Sequence, residues 1–375
     1  MHWFIVSVLL ALSSVGWAQA LPTSNETKSP VMAKPTVLPA TDGIFAAFQN
    51  HSLVGIADKH EMAQEEDFYA ALIRDPRFAK DVGNVVVEFG GAAQQETVDH
   101  YVKGDYVPYQ QLRKVWADTL WYPTVIDIGY VNFLAQVRTV NLALPPSQRI
   151  HVWLSDPPVD WSKINTQTDL SKLADRDQYP AKLIESEILA KRKKALVIYG
   201  LNHFYGPTSL KILVEQHYPG AFFFVSPYFG FQTKACSETF EKTAIDWPQP
   251  AIATPVHGSA LQTDLHAPGC DYLSASNYSF GPNMTEAEKI QRKADMEFIS
   301  SGVGADALLY LGPAADLTKS PMSQDLFLDE DFRKEIDRRA LIRTGASLSW
   351  FTVKDNPMSP RYWHSYGDRV KSNEH

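Results

Sequence analysis

Cysteine is almost missing from this chain: Cys236 and Cys270 are the only two. Neither belongs to a CxxC pair and no histidine pair stands beside them, which argues against a cysteine-built zinc site. A basic excess is missing too. Lys and Arg total 35 against 43 Asp and Glu, a net charge of −8, so little is available to neutralise phosphates and neither nucleic acid nor an anionic membrane is an expected partner. The one cationic cluster, Lys191 to Lys194, reads as the solvated end of a helix. There is no HExxH motif, no internal repeat, and beyond the first 20 residues no hydrophobic run of membrane length.

What is present begins with an apolar stretch from Trp3 to Trp17, followed by Ala18-Gln19-Ala20, a small-x-small pattern that a signal peptidase cleaves. The expectation is export to the periplasm or outside the cell, with a mature chain starting near Leu21 and no stable membrane span after cleavage. No Lys or Arg precedes the apolar stretch, which leaves an uncleaved anchor open, and no cysteine at the cleavage point suggests a lipid anchor. In an exported chain the two cysteines invite a disulfide, worth about 3 kcal/mol by loop entropy. Sequons at Asn25, Asn50, Asn277 and Asn283 matter if the host glycosylates them.

About 355 residues follow Ala20 in this chain of 375, and 45% hydrophobic with 21% charged residues is ordinary for a globular protein. Residues 21–42, rich in Pro, Ser and Thr, read as a flexible leader. A single α/β domain is expected over 43–345, with a helical insertion at 104–149, an irregular excursion at 228–300 and a C-terminal extension at 346–375. Apolar strands alternate with helical patterns: strands near 53–58, 84–89, 150–154, 195–199, 221–225 and 305–311, and helices near 64–73, 95–102, 130–142, 181–190, 208–216 and 329–343. This predicts a layered sheet of largely parallel strands with helices on both faces. The 30 residues from Asp58 to Glu88 suit a strand-helix-strand crossover, so the first two of these strands are expected to pair side by side.

Four of the apolar runs lead into a histidine or a carboxylate. Leu53 to Ala57 leads into Asp58-Lys59-His60, Val85 to Val87 into Glu88, Ile150 to Leu154 into Asp156, and Ala195 to Tyr199 into Gly200-Leu201-Asn202-His203. In an open parallel sheet, ligands bind outside the carboxyl ends of the strands, so these residues can meet in one crevice although distant in sequence. Glu88 closing a Val-Val-Val run is costly to bury alone and must pair with a cation or serve a site. Glu61, Glu65 and Asp67 read as acids favoured by a helix N-terminus. Asp160, in the Asp156-Pro157-Pro158-Val159-Asp160 loop, reads as a turn residue. The shared site fails if His60, Glu88 and His203 lie more than about 12 Å apart, because one small substrate then cannot engage all three.

Asp58-Lys59-His60 resembles the Glu-x-His of ChaN-type haem-binding proteins, Glu88 their strand-ending Glu, and Gly200 to His203 the Gly-x-x-His of TraB/Tiki proteins. Together these motifs resemble the superfamily that also holds the erythromycin esterases, over about residues 50–225. Asp58 departs from the usual Glu and Ala57 from a frequent Gly. The resemblance implies either a histidine base activating water without metal, as in the esterases, or a metal-dependent protease, as in Tiki.

The leading expectation is an exported hydrolase acting on an ester or amide in a small-molecule or peptide substrate. His60 is the general base, Glu88 orients it, Asp58 assists, His203 stabilises developing charge, and Asp156 is a further candidate. A divalent metal on His60, Glu88 and His203 is the cofactor alternative. A ChaN-like haem- or metal-binding protein, with an axial histidine walled by the aromatic 104–125 segment, is the competing function. A non-catalytic relative is the third.

Overall fold

The computed structural model describes residues 32–120, 127–270 (save 174, 207 and 232), 286, 304–345 and 347. The expected signal peptide, the first half of the leader, the sequons at Asn25, Asn277 and Asn283, Trp121, Tyr122, the later part of the 228–300 excursion and almost all of the 346–375 extension lie outside them. Contacts divide the chain after Met32, and the architecture is that of the unit from Ala33 onward.

Eight strands form one sheet: β1 Thr36–Pro39, β2 Leu53–Asp58, β3 Asn84–Gly91, β4 His151–Asp156, β5 Ala195–Gly200, β6 Phe222–Pro227, β7 Ala251–Thr254 and β8 Ala307–Tyr310. Their order is β1-β7-β8-β6-β2-β5-β3-β4. The run from β8 to β4 is parallel throughout, and only the pairings made by β7 are antiparallel. The α/β class expected from the sequence is the one observed. β2, β3 and β5 are buried at every position, as strands covered on both faces must be.

Side chains on these strands alternate between two cores with period two. Val85, Val87, Leu196 and Ile198 face one side with Phe68, Tyr69 and Leu72 of helix Ala63–Arg74 and with Phe133 and Val137 of helix Ile128–Leu142. Val86, Ala195, Val197 and Tyr199 face the other with Ile184, Ile188, Leu210 and Val214. Each such aliphatic side chain contributes about 1.5–3 kcal/mol through its burial.

Three sequence expectations need correction. β2 and β3 are not neighbours: β5 lies between them, bonded to both. A crossover of this length can skip a position, and three similarly apolar strands offer no side-chain signal for their order. The leader is shorter than expected, because Thr36–Pro39 is a strand and Ala40–Asn50 a helix. The excursion is not irregular in its described part, which holds helices Lys234–Thr243 and Ala260–Leu265 and strand β7. β7 is only four residues long and has prolines on both flanks, which disguised it. Cys236 and Cys270 form a disulfide with 34 residues of separation, a loop whose closure contributes about 3–4 kcal/mol in the chain-entropy account.

Candidate active site

Parallel β2, β3, β4 and β5 deliver Asp58, Glu88, Asp156 and Gly200 to the same edge of the sheet. After Asp58 the chain turns back on itself, and the His60 ring folds onto the strand end it has just left. Its Nδ1 lies 2.8 Å from Asp58 Oδ2 and 3.0 Å from the Tyr130 hydroxyl. Tyr130 donates to the same Asp58 oxygen at 2.5 Å, and Tyr69 donates to the other at 3.2 Å. Asp58 is therefore held on both oxygens, and the His60 ring is fixed through one nitrogen. The other, Nε2, lies 3.9 Å from Glu88 Oε2.

His203 mirrors this arrangement. Its Nδ1 lies 2.8 Å from Asp177 Oδ1 and its Nε2 3.3 Å from Glu88 Oε1. Asp177 is held in turn by the Leu210 backbone N–H at the start of helix Leu210–His217. Two carboxylate–imidazole pairs thus address the two oxygens of one central carboxylate. Glu88 also accepts from the Gly200 N–H at 2.6 Å and from the Arg176 guanidinium. A methyl group on Gly200 would stand 3.0 Å from His60 Nε2 and 3.1 Å from Glu88 Oε2, so a larger residue in place of this glycine would press on both side chains.

Arg176 carries a further bond: its Nε donates to Asp156 Oδ1 at 2.8 Å, while the Leu120 N–H donates to the other Asp156 oxygen. Asp156 is thereby an anchor for Arg176, buried to 1% exposure. Asp160 caps the short turn Trp161–Lys163 through the Ser162 N–H, as a turn residue does. The side chains of Glu88 and His203 are 2% and 10% exposed, whereas that of His60 is 26% exposed. His60 is the more exposed of the two imidazoles.

Charge at the site follows from this packing. Burial disfavours a charged ring at His60, but Asp58 and Glu88 prevail and raise its pKa from 6.5 to about 9. Burial likewise opposes charge at His203, and Glu88 with Asp177 raises it to about 9. Burial also opposes charge on Glu88, yet His203, Arg176 and His60 hold its carboxylate well below the usual range. For Asp156 burial prevails over Arg176, and its pKa is raised.

All five candidates read from the sequence, Asp58, His60, Glu88, Asp156 and His203, belong to this cluster. Arg176, Asp177, Tyr69 and Tyr130 were missed. Glu65 departs from the helix-end reading: it is fully buried and accepts from the Lys59 N–H at 2.8 Å, where a solvated helix-end acid would be exposed.

The donor set also speaks to the implied cofactors. Among the described residues no group of three or more His, Cys, Asp or Glu is arranged to hold a metal ion. The permanent charge of Arg176 sits directly on Glu88, where a metal would need to draw on that carboxylate. Haem asks for an apolar slot beside a histidine, and both imidazoles here are flanked by carboxylates. Neither group fits the residues as arranged. Among the described residues no helix is long and apolar enough to cross a membrane.

No family model matches this sequence and no curated protein matches it. Similar solved structures include a protein from Bacillus cereus, at 13% identity and TM-score 0.46, covering 78% of this chain and 97% of that one. The type III effector HopBA1 is similar at 15% identity and TM-score 0.34, over 53% of this chain and 88% of its own. ChaN of Campylobacter jejuni, whose structure is described by cofacial heme binding, is similar at 10% identity and TM-score 0.30, over 54% of this chain and 94% of its own. ChaN is also one branch of the resemblance carried by Asp58, His60 and Glu88. At such TM-scores none of these likenesses bears on mechanism.

Proposed function

We propose that this chain is an exported, metal-independent hydrolase of ester substrates, with His60 as general base. The observation that carries the reading is the Asp58–His60 pair: a buried carboxylate fixes Nδ1 while the ring remains partly exposed at the crevice. Neutral His60 takes a proton from water through Nε2 as the water oxygen bonds to the ester carbonyl carbon. The developing oxyanion is stabilised by the cationic His203 and Arg176, and His60 returns the proton to the leaving alkoxide. Glu88 serves as the fixed counter-ion that aligns both rings; its lowered pKa makes it a poor proton acceptor.

The test is hydrolysis of a panel of aryl and alkyl esters by purified protein, with and without a chelator. Turnover that survives chelation and falls by at least about a hundredfold in His60→Ala is expected. Turnover abolished by the chelator, or unchanged in His60→Ala, overturns the reading.

Export is part of the proposal and is supported by the N-terminal pattern and by the Cys236–Cys270 disulfide, which suits an oxidising compartment. Terminal sequencing of protein recovered outside the cytoplasm is expected to begin near Leu21. Recovery only from the cytoplasm, with Met1 or residue 2 at its start, counts against export.

A further inference from the structure

The backbone on each side of His60 is tied to a buried carboxylate, and the two come from different helices. Before it, the Lys59 N–H donates to Glu65 Oε2 at 2.8 Å. After it, the Glu61 N–H donates to Asp127 Oδ2 at 3.0 Å. Glu65 is fully buried and Asp127 is 2% exposed. We infer that Glu65 and Asp127 are positioning residues that clamp the main chain around His60 and so set the imidazole against Asp58. The inference rests on the reading of His60 as the working base.

The turn they hold does not form cheaply. Glu61 has φ of 70°, in the left-handed region, which costs a non-glycine residue about 1–3 kcal/mol and persists only where its surroundings over-determine it. Here they do: its N–H goes to Asp127, its carbonyl accepts the Ser320 N–H at 2.8 Å, and its carboxylate meets Lys319 Nζ at 2.7 Å. That turn sends the chain away so that the ring two residues beyond Asp58 can fold back on it.

Neither acid is explained by ordinary capping. In a capping box the acid at the third helical position reaches back to the N-cap N–H. Glu65 holds that position behind N-cap Met62, yet it reaches three residues further, to Lys59. Asp127 does cap helix Ile128–Leu142 by accepting from the Gly129 N–H at 2.9 Å with one oxygen. Its second oxygen crosses to Glu61. The same helical turn then brings Tyr130 onto Asp58 and His60 Nδ1, so one capped helix start governs both the backbone and the ring of the base. Burial raises the pKa of Glu65 well above the usual range and that of Asp127 upward. Glu65 accepts one backbone hydrogen bond here, which an amide oxygen does equally well, whereas Asp127 accepts two on separate oxygens, of which an amide can keep only one.

Because a misplacement of about 1 Å in a reacting group can cost about a hundredfold in rate, Glu65→Ala and Asp127→Ala are expected to lower kcat at least tenfold with KM within about threefold. Glu65→Gln keeps its one acceptor and is expected to restore kcat to within about threefold of wild type, whereas Asp127→Asn keeps one of two acceptor oxygens and is expected to fall between wild type and Asp127→Ala. A second readout needs no turnover: the low-field Nδ1–H proton of His60, assigned by its loss in His60→Gln, is followed by NMR in each folded variant. It is expected to vanish by exchange in both alanine variants and to persist in Glu65→Gln. Persistence in the alanine variants, or equal loss in Glu65→Ala and Glu65→Gln, overturns the inference. The expected proton pattern in a protein that turns over no ester supports the clamp and overturns the hydrolase.

Discussion

Glu88→Ala is expected to lower the unfolding free energy by about 3–5 kcal/mol at pH 7, the range for removing one partner from a buried ion pair. The reason is what remains. Arg176 is 21% exposed and His203 10%, and both lose the carboxylate they share. Asp156 still holds Arg176 through Nε, and Asp177 still holds His203, so collapse of the fold is not expected. The Gly200 N–H loses its acceptor as well, adding the cost of an unsatisfied buried donor, about 1–3 kcal/mol, within rather than beyond that range because the losses share one site. Urea unfolding of the two proteins at pH 7 measures the difference. A change under about 1 kcal/mol would mean that the four groups around Glu88 do not depend on it, and the central role given to this carboxylate would fall. Glu88→Gln separates charge from shape. It keeps one acceptor oxygen, for either the Gly200 N–H or Arg176, which bond different oxygens of Glu88, and removes the negative charge; a loss nearly as large as that of alanine would identify the charge and its second oxygen, rather than side-chain volume, as the main part.

The candidate site was legible to the extent that its residues end strands. Asp58, Glu88 and Asp156 close apolar runs, and His203 follows one, so strand recognition alone placed them at one edge. Their partners were hidden for a physical reason. Arg176 and Asp177 lie in Asp175-Arg176-Asp177, inside a polar connection with no hydrophobic period, and the carboxylate that Arg176 meets is 88 residues away. Nothing local selects it. The helical pattern over 130–142 includes Tyr130, but an aromatic on an apolar face gives no sign that its hydroxyl finds Asp58. Glu65 carried the opposite difficulty: the helix-dipole explanation accounted for an acid at its position, and only burial reveals another use. Strand order failed at the same level. Period-two alternation fixes which core a side chain joins, and it says nothing about which of two equally apolar strands lies alongside.

Ester hydrolysis is expected to rise about tenfold per pH unit from pH 7, to reach a maximum near 9 and to fall above it: a base of pKa about 9 is neutral in only about 1% of molecules at pH 7, and the His203 cation that faces the oxyanion loses its proton over the same range. The same proton acts on stability in the opposite direction. His60 and His203 stand at 6.5 when unperturbed and at about 9 in the fold. A group whose folded pKa is raised contributes stability that is complete below its unfolded value and is lost as pH rises through its folded value. For one ring the interval from 6.5 to about 9 corresponds to about 3 kcal/mol. Both rings lean on Glu88, so loss of the first proton weakens the hold on the second, and their effects do not simply add. The expected loss between pH 6.5 and 9.5 is about 3–5 kcal/mol. Activity and instability should therefore rise together across one pH window, which ties both to the histidines rather than to hydroxide or to general alkaline unfolding. Glu88→Gln removes an anion that faces both rings and should move both curves toward pH 6.5, whereas a chemical dependence on hydroxide would leave the activity curve in place. A wild-type rate that levels off near pH 6.5, with stability unchanged up to pH 9, would show that Asp58 and Glu88 do not hold a proton on His60, and the base would have to be sought elsewhere in the cluster.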